Sequence, residues 1–187
     1  LPESIENLIT EVHFENNKFK SNTYIQVDNN LIGDLNFILL DKLCKTNPNI
    51  TKLGLSSQNL KRLPESIENL TLLTFLDLSR NELTYLPESI GNLTLLTNLG
   101  LRDNQLTILP ESIGNLTNLN ELHLYRNDLS SLPESIGNLT KLTKLILISN
   151  QLTTLPLSIE NLTNITYLNL ESNRLITLPE TIGYLTN

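Results

Sequence analysis

The chain has 187 residues, 39% of them hydrophobic and 5% aromatic, with a formal net charge of −7 and a pI near 4.8. That acidity argues against nucleic acid, whose binding depends on phosphate neutralisation by Lys and Arg, and by itself identifies no other partner. No run approaches the roughly 18 apolar residues of a membrane span.

The sequence opens with "LPESIENLI" at Leu1, without a Met or a signal peptide, and stops at Asn187 inside a repeat, so it reads as a fragment or a processed form. Next, "ITEVHFENNKFKSNTYIQV" alternates on either side of Asn16 and Asn17, the pattern of a hairpin capping one end of the fold. Ile25 and Val27 precede Leu53 and Leu55 by 28 residues. Between them Leu35, Ile38, Leu39, Lys42 and Leu43 share helical spacing, with Asp34 placed to cap the first turn, which predicts a helix over about 34 to 45. Cys44 follows Leu43 in that apolar pattern and is expected to be buried.

From Leu63 onward one unit recurs. "LPESIGNLT" stands unchanged at 86 to 94, 109 to 117 and 132 to 140, and worn copies begin at Leu63, Leu155 and Leu178, a strict period of 23 residues. Such a period marks stacked repeats, in which one unit cannot bury its apolar face alone. The other half of each unit reads L-x-x-L-x-L-x-x-N-x-L, as in Leu73, Leu76, Leu78, Asn81 and Leu83, and the Asn column continues through Asn104, Asn127, Asn150 and Asn173. In "LTFLDLSRN" the period-2 alternation predicts a short strand with Leu76 and Leu78 inward. Successive strands enter from one direction, so they should form a parallel sheet at ~4.8 Å spacing with right-handed crossovers. In "LPESIGNL" the Pro suits the first position of a helical turn, and the Glu beside it the positive end of its dipoles; the turn should end near the Gly-Asn pair. Glu68 and Glu160 replace that Gly, which argues against an obligatory positive φ there.

These residues resemble the leucine-rich repeat family, in its 23-residue form "LPxxIGxLxxLxxLxLxxNxL" common in bacterial and intracellular eukaryotic proteins, over residues 40 to 187. The 28-residue spacing before them is similar to the ribonuclease-inhibitor type of repeat. The resemblance implies an α/β fold: a right-handed leucine-rich-repeat solenoid with a parallel β-sheet on the concave face and short helical or 3₁₀ turns on the convex face. A single domain over 1–187 is expected, with 1–39 as an N-terminal cap and irregular repeat and 40–187 as regular repeats, the last one incomplete. Many extracellular members carry Cys-rich caps, whereas Cys44 is the only cysteine here and allows no intrachain disulfide. That favours a reducing compartment, cytoplasmic or effector-like, or a bacterial origin.

An amide at each Asn of the column is suited to satisfying backbone groups where the chain leaves the sheet, a structural role. Gln58 stands where the first coil's Asn belongs. The repeated Glu3, Glu65, Glu88, Glu111, Glu134 and Glu180 look like a carboxylate array, and their place after Pro reads as a solvated first helical turn. "NLT" from Asn69 to Asn161 is a formal glycosylation sequon that repetition alone explains. His13, His123 and Cys44 lie far apart in the repeat map and offer no nucleophile and base, no metal cluster and no cofactor site, so an enzyme is not expected.

The outward strand positions carry what does not repeat. The three columns read Lys52, Phe75, Asn98, Glu121, Lys144, Tyr167; then Gly54, Asp77, Gly100, His123, Ile146, Asn169; then Ser56, Ser79, Arg102, Tyr125, Ile148, Glu171. A scaffold needing only solubility would fill them with polar residues, yet His123, Tyr125, Ile146, Ile148 and Tyr167 fall together on adjacent strands. Arg102 and Arg126 sit at the rim, with Lys144 and Phe75 in the same face, and aromatic and Arg side chains are frequent interface anchors. Members of the family resemble one another in binding proteins on the concave face. The expectation is therefore a protein-recognition module whose patch, centred on the fourth and fifth regular coils, binds a protein or peptide. Two other readings stand beside it: a targeting segment of a larger enzyme or bacterial effector, and a surface adhesin or structural spacer. The open edge after Leu185 is expected to fray or to support a weak end-to-end dimer.

Overall fold

The computed structural model describes residues 24–26 and 34–184. Each coil contributes a strand of three residues: β1 Tyr24–Gln26, β2 Lys52–Gly54, β3 Phe75–Asp77, β4 Asn98–Gly100, β5 Glu121–His123, β6 Lys144–Ile146 and β7 Tyr167–Asn169. Among the described residues these seven strands form one parallel sheet in chain order. The sequence spacings become its register, with Ile25 beside Leu53 across 28 residues and Leu53 beside Leu76 across 23. The segment read as the second half of a hairpin thus supplies the first parallel strand. The rest of that expected hairpin, and His13, lie outside the described residues.

The helix α1, Asp34–Thr46, crosses from β1 to β2 and ends one residue beyond the predicted limit. Its buried side packs on the first regular coil. Asp41 Oδ1 accepts the Ser66 hydroxyl at 2.6 Å, and the Arg62 guanidinium lies 4.2 Å from the centroid of the Phe37 ring. Cys44 is fully buried, and that burial pushes its thiol up to about 12, which leaves no reactive thiolate near neutrality.

Period-2 alternation turns the middle residue of strands β2 to β7 inward. Leu53, Leu76, Leu122 and Leu145 are 0% exposed, and so are the following leucines Leu78, Leu101, Leu124 and Leu147. With Ile67, Ile90, Ile113, Ile136 and Ile159 from the opposite side they make one continuous core. Backbone pairing runs past the three-residue strands: Leu78 N–H donates to Gly100 O at 2.8 Å, and Arg80 N–H to Arg102 O at 2.8 Å.

On the far side each coil makes a 3₁₀ turn, such as Glu88–Asn92, Glu111–Asn115 and Glu134–Asn138. The Pro stands one position earlier than expected. Pro110 is the N-cap, extended at φ −67 and ψ 151, and its carbonyl accepts the Ile113 N–H at 3.1 Å. The turn closes on Leu116 at φ −77 and ψ 50, so the Gly before Asn115 is not a left-handed cap. Its reason is proximity: a Cβ on Gly114 would lie 2.5 Å from Ser135 O and 2.7 Å from Ser135 Cβ of the next coil. Small residues on both sides let adjacent turns touch, at the cost of leaving the Ser89, Ser112 and Ser135 hydroxyls buried without a partner.

The described members of the Glu column are exposed in the first turn, as expected, and two of them also reach the next coil. Glu88 accepts the Ser112 N–H at 3.1 Å, and Glu134 accepts those of Ser158 at 3.1 Å and Leu157 at 3.3 Å. These are N–H groups that a helical turn leaves unpaired, so a carboxylate from one coil caps the next. The Ser158 backbone bond, followed by the Ser158 hydroxyl, holds the Glu134 carboxyl below the usual 4.5.

The Asn column binds coil to coil. Asn127 Nδ2 donates to Leu101 O at 2.9 Å and to Leu124 O at 3.0 Å, while its Oδ1 accepts the Leu106 N–H at 3.0 Å. Asn81, Asn104, Asn150 and Asn173 repeat the arrangement. In the first coil Gln58 is buried and donates to Ser56 O at 2.9 Å, while its own N–H goes to Asn81 Oδ1 at 2.9 Å. An amide left buried and unpaired costs about 1–3 kcal/mol.

Two measurements check this account. Leu101→Ala is expected to lower stability to denaturant by about 2–5 kcal/mol, since it opens a cavity in a packed leucine row. Because Glu134 titrates lower when folded, its contribution is present above pH 4.5 and disappears as pH falls through the depressed value. The stability gap between the wild type and Glu134→Gln should therefore close on acidification; a gap that widens would contradict the capping role.

Candidate functional site

The sheet's outward face is built from the residues flanking each inward leucine. Parallel register sets cross-strand neighbours: Glu121 beside Lys144 and His123 beside Ile146, then Lys144 beside Tyr167 and Ile146 beside Asn169. The chain places His123, Lys144, Ile146 and Tyr167 on strands β5, β6 and β7, and Tyr125 and Ile148 two residues beyond β5 and β6. These six come together in one patch, joined at its edge by Arg102 and Arg126. Phe75 is not brought into it, because Asn98 and Glu121 stand between Phe75 and Lys144 in their column.

The patch is less open than alternation alone implies. Tyr167 is 47% exposed, whereas His123, Tyr125, Ile146 and Ile148 are half-buried. Polar contacts fix several of them. Arg102 Nη1 donates to the Tyr125 hydroxyl at 2.7 Å, and its guanidinium carbon is 5.8 Å from the ring centroid, so it sits at the hydroxyl end of the ring. That hydroxyl, more than the Asp77 and Asp103 charges, raises the Arg102 guanidinium above its ordinary value. Lys144 Nζ lies 6.0 Å from the Tyr167 ring centroid, at the outer limit of cation–π attraction. The Tyr167 hydroxyl accepts Asn169 Nδ2 at 3.3 Å.

Two acidic residues take part that the outward columns alone do not single out. His123 Nε2 is 2.9 Å from Glu121 Oε2, and Arg126 Nη1 is 3.3 Å from Asp103 Oδ1. Both were within reach of the sequence pattern. Glu121 and His123 are two apart on one strand face, and Asp103 and Arg126 are one period of 23 residues apart.

Arg126 belongs to a column with unusual backbone. Ser57, Arg80, Asp103, Arg126, Ser149 and Ser172, each one residue before the Asn ladder or Gln58, all have φ between 52 and 61. A non-glycine residue there costs about 1–2 kcal/mol, and no glycine in the sequence announces it. Pairing holds the strain in place: Arg126 N–H donates to Ile148 O at 2.8 Å, and Asn127 anchors the next residue. The conformation aims one side chain per coil at the same rim.

Among the described residues no group of three or more His, Cys, Asp or Glu is placed to hold a metal ion, and no helix is long and apolar enough to cross a membrane. The face therefore offers apolar area, hydrogen-bonding groups and fixed charge. Replacing Tyr125 by Ser is expected to change the melting temperature far less than Leu101→Ala, because Tyr125 stands outside the leucine core; equal losses in thermal melts would place Tyr125 in that core.

Comparison with known proteins bears on the family. Profiles described as leucine-rich repeat region and leucine rich repeat match residues 40–131 and 117–175. No curated protein sequence matches. Among solved structures, a leucine-rich repeat protein of Leptospira interrogans is 36% identical with a TM-score of 0.61, covering 78% of this chain and 43% of its own. The Arabidopsis receptor kinase HAESA, solved with the peptide hormone IDA and the co-receptor SERK1, is 34% identical with a TM-score of 0.65, covering 79% of this chain and 26% of its own. The ectodomain of the Arabidopsis thaliana receptor kinase GASSHO1/SCHENGEN3, in complex with CASPARIAN STRIP INTEGRITY FACTOR 2, is 31% identical with a TM-score of 0.57, covering 78% of this chain and 21% of its own. The chain thus spans less than half the length of these relatives. The repeat profiles, the seven parallel strands in register and the Asn ladder agree, and the chain belongs to the leucine-rich repeat family.

Proposed function

We propose that the chain is a non-enzymatic protein-recognition module, one repeat domain over 1–187, that binds a protein or peptide on its concave sheet face. The observation that carries this reading is the run of Tyr125, Ile146, Ile148 and Tyr167 on the solvent side of three adjacent strands. Apolar side chains in such a cluster cost solubility unless a partner covers them. The leucine core does not need them, since it is closed by the inward leucines. Arg102, Arg126, Lys144 and His123 border the apolar area and supply orientation, as polar groups do around an interface core. The peptide and co-receptor complexes of the plant relatives support the choice of ligand class.

The test is affinity capture with mass spectrometry, comparing the wild type with a Tyr125→Ser, Ile148→Ser double variant. The expected result is a partner retained by the wild type and lost by the double variant, whose melting temperature stays near that of the wild type. A partner held equally by both would move the site to another face.

A further inference from the structure

We infer that the concave patch is built for an acidic polypeptide segment: two carboxylates about five residues apart in extended chain, with an aliphatic or aromatic residue between them. This rests on the concave-face reading above and adds the chemistry of the partner.

The patch carries cations that no carboxylate among the described residues contacts directly. Each nearby acid on the Arg102 side of the patch already holds a group of the chain itself. Glu121 takes His123 at 2.9 Å, Asp103 takes Arg126 at 3.3 Å, and Asp77 Oδ1 accepts the Ser79 N–H at 3.0 Å. The two half-buried cations differ. Arg102 bonds a phenol hydroxyl and feels Asp77 and Asp103 only through space, and Lys144 stands near a ring and beside Glu121 in register, so among the described residues neither forms a contact ion pair. A guanidinium has five donors in a planar fork that matches a carboxylate, and most of them remain available here.

Their placement sets the spacing. Lys144 and Arg102 are two strands apart across the sheet and four positions apart along the strand direction. With strands ~4.8 Å apart and a rise of ~3.3 Å per residue, the separation is about 16 Å, or about five residues of extended peptide. The diagonal between them crosses His123, with Tyr125 and Ile146 on one side and Gly100 and Glu121 on the other, and an apolar side chain of the partner would rest toward Tyr125 and Ile146. Glu171, beyond Ile148, places a negative charge at the far edge and confines an acidic segment to the Arg102 side.

The net charge of −7 does not oppose this. The exposed Glu65, Glu88, Glu111 and Glu134 lie on the 3₁₀ turns, across the leucine core from the patch. Physiological salt screens exposed charges over about 8 Å, so the patch presents its own sign locally.

The experiment is selection of a displayed library of random linear dodecapeptides on the wild-type chain, on Ile148→Ser and on the double variant Arg102→Glu, Lys144→Glu, followed by titration of synthetic peptides. The wild type is expected to enrich an acidic pair at the stated spacing around an apolar residue. Ile148→Ser should lose these peptides, and the charge-reversed variant should bind them about tenfold more weakly and enrich Lys and Arg in their place. Thermal melts verify that each variant is folded, and Arg102→Gln, Lys144→Gln carries the same comparison if charge reversal unfolds the coil. Peptides lost with Ile148→Ser that lack the acidic pair, or that the charge-reversed variant binds equally well, overturn the inference and leave the concave-face reading standing. Peptides retained by Ile148→Ser overturn that reading and the inference with it. Enrichment of nothing overturns the inference.

Discussion

A buried asparagine amide in each coil is the interaction on which the rest of the structure depends. Beyond the three-residue strand the chain must turn away through a left-handed residue, leaving carbonyls and N–H groups of two coils facing the interior. Asn127 meets them all at once: Leu101 O in the preceding coil, Leu124 O in its own, and the Leu106 N–H that starts the return path. A hydroxyl is too short and lacks the second donor, and a carboxylate has no donor at all. The amide fixes the exit geometry, and it fixes the distance between neighbouring coils in the same set of bonds. Leucine burial supplies the bulk of the stabilisation, but it is non-directional and would not by itself choose this register.

The opposite side of each coil solves a separate spacing problem. Strands stand about 4.8 Å apart because hydrogen bonding demands it. The 3₁₀ turns must stay in contact at whatever separation results, and the Gly114–Ser135 approach shows how little room remains. A carboxylate reaching forward, as Glu134 does to Ser158 and Leu157, ties the turns without adding bulk between them. Both edges of the coil are therefore held by intercoil bonds from side chains that repeat. The outward strand positions carry none of this burden, which is why they are free to diverge into charge, ring and aliphatic surface.

Much of this was legible in the sequence because periodicity is a direct record of stacking. The 23-residue spacing gave the strand register residue by residue, and the 28-residue offset from Ile25 to Leu53 placed β1. The helix over 34 to 46 followed from apolar spacing. What escaped was of another kind. Pro110 is the cap and not the first turn residue, since the two placements differ by a single backbone angle that no pattern records. The left-handed column carries Arg, Asp and Ser, so its conformation is imposed by neighbouring bonds and not by local propensity. At the candidate site the columns identified the patch, but membership depends on distance between coils as well as on face. Phe75 shares the face with Tyr167 and is separated from it by three coils' worth of polar residues. Ile146 and Tyr125 are half-buried, and Tyr125 meets the Arg102 guanidinium of the preceding coil, a contact that alternation along one strand cannot express.

The neighbour-only bonding of the coils makes the recognition face a ruler with one graduation per repeat. Asn127 reaches only its own coil, through Leu124 O, and the coil before it, through Leu101 O and the Leu106 N–H, so no residue of the ladder senses how many coils lie farther away. A duplication of one whole unit between β5 and β6 would leave every core contact in kind unchanged. It would part His123 from Ile146 by one further strand spacing, about 4.8 Å. The surface can thus be lengthened only in whole steps, and never by a fraction of one. Gene duplication acting on such a chain adjusts the reach of the face separately from its chemistry, with substitutions in the outward columns setting the second and the number of units the first.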